Sequence, residues 1–293
     1  MNLLFKVNAC LLTCFGLGVA VVGWHANGVL QENAKREVLG NARLMMDAAM
    51  TARNYTSAEI KPLLEKLQQH VFMPQTVPSY AATQSFSSLR TTYPDFSYKE
   101  ATLNPTNPRD RVVEWEADLV QQMRDHPERK ELIGERMGAT GAALYLARPI
   151  RITNAQCLAC HSTAAAAPAT MTALYGTNNG FGWKLGETVG SQIVTVPLAV
   201  ALRQADSTLK SIMTGMVATF AATLLLVNLL MYLVVLRPIK RISRIAAAVS
   251  EGQGGVEHFQ LKGSDEIAAL SGAFNRMRRS LEKAMAMLER GAS

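Results

Sequence analysis

The sequence predicts an α+β domain held outside a membrane between two transmembrane helices, with an all-α helix pair after the second. Three observations carry this expectation. Two long runs contain no charge, the stretch between them mixes helical with alternating patterns, and the tail repeats apolar residues at steps of three and four. The chain has 293 residues, 48% hydrophobic and 18% charged, with a mean hydropathy of +0.06. That balance excludes a disordered chain, and four cysteines are too few for a disulfide-stapled mini-domain.

The first uncharged run fills the 18 residues between Lys6 and His25, and the second fills the 26 between Lys210 and Arg237. A helix of roughly 20 apolar residues crosses a bilayer core, so both can span. A cleaved signal peptide is the alternative for the first, but Gly23-Trp24-His25 is a poor cleavage site, which favours a retained anchor. Cys10 and Cys14 lie inside this span without a lipobox around them and read as small apolar residues. Arg237, Lys240, Arg241 and Arg244 crowd the exit of the second span, and Lys6 precedes the first. By the positive-inside rule both termini are cytoplasmic and the loop between the spans is outside. Of the net charge of +7, the loop holds +2 and residues 237–293 hold +4, so the basic excess marks a membrane face and not a nucleic-acid footprint. The expected division is an anchor at 1–25, an outer domain at 26–208, a second span at 209–236 and a cytoplasmic helix pair at 237–293.

Within the outer domain, residues 26–55 lack proline and read as a continuation of the first helix. Glu59–Gln69, with Pro62 in its first turn, and Ala81–Arg90 are shorter helix candidates. Phe96–Leu103 alternates as a strand. Asn104-Pro105-Thr106-Asn107-Pro108 stops it, and Asp110 is placed to cap a helix running to Asp125. Ala142–Ile152 reads as a strand, residues 162–187 as a long glycine- and proline-rich loop, and Val189–Val196 as a final strand feeding the second span. Helices around a small antiparallel sheet give an α+β domain of the kind PAS-like sensor modules adopt.

The most specific motif is Cys157-Leu158-Ala159-Cys160-His161. Two thiols separated by two residues can both reach the vinyl groups on one edge of a haem and form thioethers. The next histidine then offers its imidazole to the iron as proximal ligand. Half a zinc site would want a further Cys/His pair, and a redox dithiol would want a βαβ context, neither of which the flanking sequence supplies. Covalent attachment of a single haem c also requires export, which the topology provides independently. The distal position is open. His25 sits at the membrane boundary and His126 at a helix end, while His70 and Met73 follow an amphipathic helix, and a water-filled sixth site is equally allowed.

The run Tyr98–Asp110, followed by Trp115-Glu116, resembles a periplasmic single-haem c-type family long catalogued as a domain of unknown function. Val77–Thr83, Cys157–His161 and Gly186–Gly190 fit the same pattern in the same order, and the resemblance covers about residues 40–200. It implies a PAS-like fold holding one haem, with a role in sensing redox state or a small ligand. At least one relative uses a distal cysteine. No cysteine exists here outside the span and the haem motif, so that axial pair does not carry over. By rough alignment its place falls near Val77–Ser85, where Tyr80 is the polar ring.

In the tail, Ile239, Ile242, Ala246 and Val249 form one apolar seam. After a Gly-rich connector at Gly252–Gly263, containing Val256, Phe259 and Leu261, comes a second seam of Ile267, Leu270, Phe274, Met277, Leu281, Ala284 and Leu288. Two seams of this kind want partners, more than a single helix lying on a membrane surface would. With Arg237-Pro238 at the membrane exit and Asp265-Glu266 opening the second helix, the tail resembles a HAMP domain, whose two helices per chain pair with a second copy into a four-helix bundle. No kinase, cyclase or chemoreceptor output follows by Ser293; if the chain is complete there, output is expected through a separate cytoplasmic protein. The expectation is therefore a dimeric haem sensor of a bacterial inner membrane, not an enzyme, detecting redox state or a small gas. A membrane-anchored electron-transfer cytochrome, meeting a redox partner in the periplasm, is the alternative. An enzyme acting at an open haem ranks last, since no acid–base constellation flanks the motif.

Overall fold

The computed structural model describes residues 3–64, 70–138, 141–251 and 265–291. The chain divides into two compact units, His25–Leu209 and a helical unit of Met1–Trp24 with Lys210–Ser293.

The first helix, α1 (Leu3–Tyr55), is continuous and passes through a π turn at Thr56–Ile60 into α2 (Lys61–Leu64). The interruption expected between residue 55 and Glu59 is absent: a π turn bridges it, and Pro62 lies in the first turn of α2, where a helix tolerates it. Residues 65–69 of the expected Glu59–Gln69 helix lie outside the described residues. Helix α3 (Pro78–Leu89) starts three residues before the expected Ala81, since Pro78 takes an early position in the helix where its missing N–H costs nothing.

Four strands, β1 (Ser97–Thr102), β2 (Leu132–Gly138), β3 (Gly141–Arg151) and β4 (Thr188–Pro197), form an antiparallel sheet in the order β1-β4-β3-β2. Alternation puts Tyr98, Leu144, Leu146, Val194 and Val196 on one face. There they bury against Ala42, Met46 and Ala49 of α1 and Ala82 and Phe86 of α3. The opposite face buries Ala101, Ala147 and Ile193 against Leu119 and Met123 of α4 (Glu114–Asp125). The expected α+β domain, helices around a small antiparallel sheet, is thus present.

Three polar contacts fasten α1 across three strands. Asp47 pairs with Arg148 of β3 at 2.8 Å, Met50 Sδ accepts from Gln192 Nε2 of β4 at 3.2 Å, and Arg53 pairs with Glu100 of β1. Glu100, Gln192 and Arg148 stand in register across the sheet, and residues 47, 50 and 53 repeat at three-residue steps on one side of the helix.

Three expectations need correction. Asp110 caps no helix: it sits in a 3-10 turn, Pro108–Asp110, whose cap is Asn107, and α4 starts at Glu114 with the Glu116 carboxylate accepting the Val113 N–H at 2.9 Å. Strand β2 had no sequence signal, because Gly134 and Gly138 read as breakers. Gly134 is there because Tyr145 of β3 lies across it, leaving no room for a Cβ. The long loop at 162–187 contains a helix, α6 (Ala169–Tyr175), which stops at Gly176 with φ +80°.

In the helical unit, α7 (Ala199–Leu230) passes through a second π turn, Met231–Leu236, into α8 (Arg237–Ser250). Helices containing Leu4–Leu64 and Ala199–Ser250 are long and apolar enough to cross a membrane. Phe15 stacks on Phe220 at 3.6 Å, and Asn8 and Asn228 exchange amide hydrogen bonds of 2.9 and 2.8 Å. Helix α9 (Glu266–Gly291) is capped by Asp265, whose carboxylate accepts from the Ala268 N–H at 2.8 Å. The connector residues Val256, Phe259 and Leu261, and the Leu288 side chain, lie outside what is described.

Candidate functional site

The cysteine motif is built on one short helical turn. Asn154 accepts from the Gln156 N–H at 2.9 Å and so caps a 3-10 turn, Ala155–Cys157, that runs straight into α5 (Leu158–His161). Spacing of three residues on a helical turn puts Cys157 and Cys160 on the same side. Both are free thiols and half-buried. Burial pushes the Cys160 thiol up, and Lys61 of α2 opposes it. Arg53 also reaches this corner electrostatically. Burial works against its charge, but the Glu100 carboxylate outweighs burial and raises its pKa, and Cys157 adds to that. The end of α1 and the turn after it therefore border the motif.

His161 is held by a second loop. Its Nδ1 donates to the Gly180 carbonyl at 2.7 Å, with the Thr106 hydroxyl at 3.5 Å, and its ring stacks on Trp183 at 3.9 Å and 13°. The main chain reinforces this, with Trp183 N–H donating to His161 O and Gly182 N–H to Ser162 O. Burial pushes the imidazole below its ordinary value, which the Gly180 bond only partly offsets. A neutral ring whose Nδ1 donates to a carbonyl carries its lone pair on Nε2, the tautomer an iron ligand needs.

The turn after β1 holds that loop in place. Asn104 Nδ2 donates to the Phe181 carbonyl at 3.3 Å and its Oδ1 accepts from the Gly180 N–H at 3.2 Å, while Arg111 reaches Asn179 at 3.2 Å. Gly180 has φ +87° and lies so close to Thr106 that a Cβ has no room. The Asn-Pro-rich stop after β1 thus braces the histidine as well as ending a strand. Among the described residues, the polar side-chain and ring contacts of His161 are with Thr106, Gly180 and Trp183. The three distal candidates are His70, Met73 and Tyr80. His70 is exposed, Met73 is half-buried ahead of a 3-10 turn at Pro74–Thr76, and Tyr80 on α3 lies under the Arg109 guanidinium, 4.8 Å from its ring centre. Gly180 and Trp183 carried a weak signal, the glycine spacing of 176–186, which marks a loop in close approach but not what it approaches.

The donor set fits a covalent haem. Two free thiols share one face of a turn, and the neighbouring imidazole is neutral with Nε2 available. No group of three or more His, Cys, Asp or Glu side chains able to hold a metal ion occurs among the described residues, as a zinc site would need.

The family model for Tll0287-like proteins matches residues 31–197, more than half of the chain. The chain belongs to the Tll0287-like family. The match takes in every residue of the site just described, from Arg53 to Trp183. A HAMP domain model matches residues 230–283, from the end of α7 into α9. No curated protein matches the chain. Among solved structures, the cyanobacterial heme-protein Tll0287 is similar at 16% identity and a TM-score of 0.41, covering 55% of this chain and 95% of that one. This Tll0287-like chain therefore joins a domain of that family to a HAMP signal-transduction domain, with two apolar helices flanking the first.

Proposed function

We propose that the chain is a membrane-bound c-type haem sensor that reports redox state or a small gaseous ligand through its second span and HAMP domain to a separate output protein. Cys157 and Cys160 would form the thioethers and His161 would be the proximal ligand. When bound, the haem supplies an iron whose oxidation state and sixth position respond to the surroundings. The chain's own residues do the rest. Gly180 and Trp183 fix the imidazole, Thr106 and Asn104 tie that loop to the end of β1, and β4, hydrogen-bonded to β1, leads through Leu198 into α7.

The observation that carries the proposal is this continuity, a strand of the outer domain passing into a helix that runs through α8 of the HAMP match. HAMP relays work because alternative packings lie close in energy, and a bias of about 3 kcal/mol shifts their ratio roughly a hundredfold. The basic cluster Arg237–Arg244 supports a cytoplasmic tail and a periplasmic outer domain. On α9, Leu270, Met277 and Leu281 are exposed in the single chain, which supports pairing with a second copy.

Cysteine cross-linking tests this in membranes. Leu270→Cys chains should cross-link as dimers at rates that differ between oxidised, reduced and CO-treated membranes. Substituting Cys157 and Cys160 by alanine should abolish both haem staining and that difference. Haem-loaded chains whose cross-linking ignores all three conditions would sink the relay and favour an electron carrier.

A further inference from the structure

The α4 face of the sheet is covered unevenly. Leu119 and Met123 close one part of it, over Ala101, Ala147 and Ile193. Beside it an open groove of about 660 Å³ reaches round the β1 edge of the sheet, lined by Ser97, Thr195, Ala143 and Gly138, by Tyr98, and by Arg90 and Arg136. That volume is in the range of small-molecule sites.

The charges lining the groove are unequally satisfied. Lys99 is taken by Glu116 at 2.6 Å, and Arg109 by Asp110 at 3.5 Å. Arg136 lies over the Trp115 ring at 4.1 Å, and neither it nor Arg90 pairs with a carboxylate among the described residues. Against these two guanidinium groups stands one unpaired acid, Asp95, so the groove carries one uncompensated positive charge. The Trp115 indole restrains the Arg136 guanidinium, whose planar fork meets a carboxylate through two hydrogen bonds. Among the described residues, the hydroxyl of Thr83, which also lines the groove, is shielded from water and finds no hydrogen-bond partner.

We propose that this groove binds a small organic monocarboxylate, with Arg136 as its carboxylate partner, Arg90 beside it and the lining sheet residues taking its apolar body. One uncompensated charge selects a monoanion over a dianion. The occupant would also touch Arg109 and Asp110, on the same turn that places Asn104 and Thr106 against the His161 loop. The turn thus offers a route by which a second ligand biases the proposed haem site, a consequence that rests on the haem reading, whereas the binding itself does not.

Titration calorimetry on the full chain in detergent tests the site, with benzoate as probe. Saturable binding is expected, weakened at least tenfold by Arg136→Ala and partly restored by Arg136→Lys. Arg90→Ala should weaken it less, and serves as the test should Arg136→Ala fail to fold by circular dichroism. Benzylamine should not bind, succinate should bind more weakly than benzoate, and inorganic phosphate should not displace it. Absence of saturable benzoate binding, indifference to folded arginine variants, or equal binding of benzylamine, succinate or phosphate would each overturn the proposal. Chains with Cys157 and Cys160 replaced by alanine should still bind benzoate, so failure of the haem reading and failure of the groove are separately visible.

Discussion

The outer unit closes its cores within a single chain, whereas the helical unit leaves its apolar seam open. Met46, Leu146 and Val194 are fully buried between α1 and the sheet, while Leu270 is 48% exposed and Met277 60%. Among the described residues of the helical unit, Ile242, Ser271 and Arg278 are the buried ones, two of the three polar. The difference teaches where independence lies. The outer unit holds a fixed arrangement around its histidine, and α8 and α9 leave apolar positions exposed, which under the proposed relay suits an element that repacks.

The sharpest way to break that comparison is to remove a buried charge partner on one side and an exposed one on the other. Glu100 is 3% exposed, pairs with Arg53 and accepts a 2.7 Å hydrogen bond from Tyr98, whose hydroxyl in turn accepts from Gln192. Glu100→Ala leaves a guanidinium uncompensated at the fastening between α1 and β1. It should destabilise the outer unit by about 3–5 kcal/mol in denaturant unfolding followed by tryptophan fluorescence. Glu282 is 59% exposed and pairs with Arg278 at 3.4 Å one turn away on α9; Arg278 is buried but has a further interaction, so replacing Glu282 by alanine should cost less, under about 1 kcal/mol. Equal losses at the two sites would mean that the outer unit is no better closed than the tail.

A milder probe is pH. Burial raises the Asp110 carboxyl from 3.8 to about 6, against the opposing pull of Arg109. An acid whose folded pKa lies above its unfolded value is better accommodated protonated. Stability from this group is therefore present below pH 4 and is lost as pH rises through the window from about 4 to 6. Two units correspond to at most about 3 kcal/mol. Asp110→Asn should flatten that part of the stability–pH curve and leave the chain more stable than the parent at pH 7. A variant curve with the same slope between pH 4 and 6 would assign the titration to another group.

These residues also show what the sequence made legible. The spans, the strand leading into the motif, the final strand and the Asp265 cap were readable because periodicity and charge are local signals. The cysteines and histidine stand at the spacing that the proposed covalent attachment would require. What holds His161 was not readable. Thr106, Gly180 and Trp183 lie 55, 19 and 22 positions from it, and their meeting depends on sheet order, which pairs β1 with β4. Strand β2 was hidden by glycines whose purpose, room for Tyr145, is visible only across the pair. Asp110 was misassigned as a helix cap because an acid before a helical stretch is a local cue, and Asn107 and Glu116 perform the capping on either side of it.

The smallest effect concerns the membrane segments, where the helical unit has one specific fastening. Asn8 and Asn228 exchange two amide bonds, and Asn228 also donates to the Leu224 carbonyl. In hydrocarbon such bonds join helices that apolar side chains alone do not hold in register, yet measured values average only about 0.6 kcal/mol and reach about 1.7. Asn228→Leu removes the exchange and leaves the Asn8 amide to find another partner. Disulfide cross-linking between cysteines introduced at neighbouring positions of the two helices should become less selective by roughly threefold to tenfold, with the outer unit's unfolding unchanged. Unaltered selectivity would leave the stacked rings of Phe15 and Phe220 as the contact that sets the register. A loss of outer-unit stability would show that the two units are not independent, and would overturn the contrast between a closed domain and an open relay.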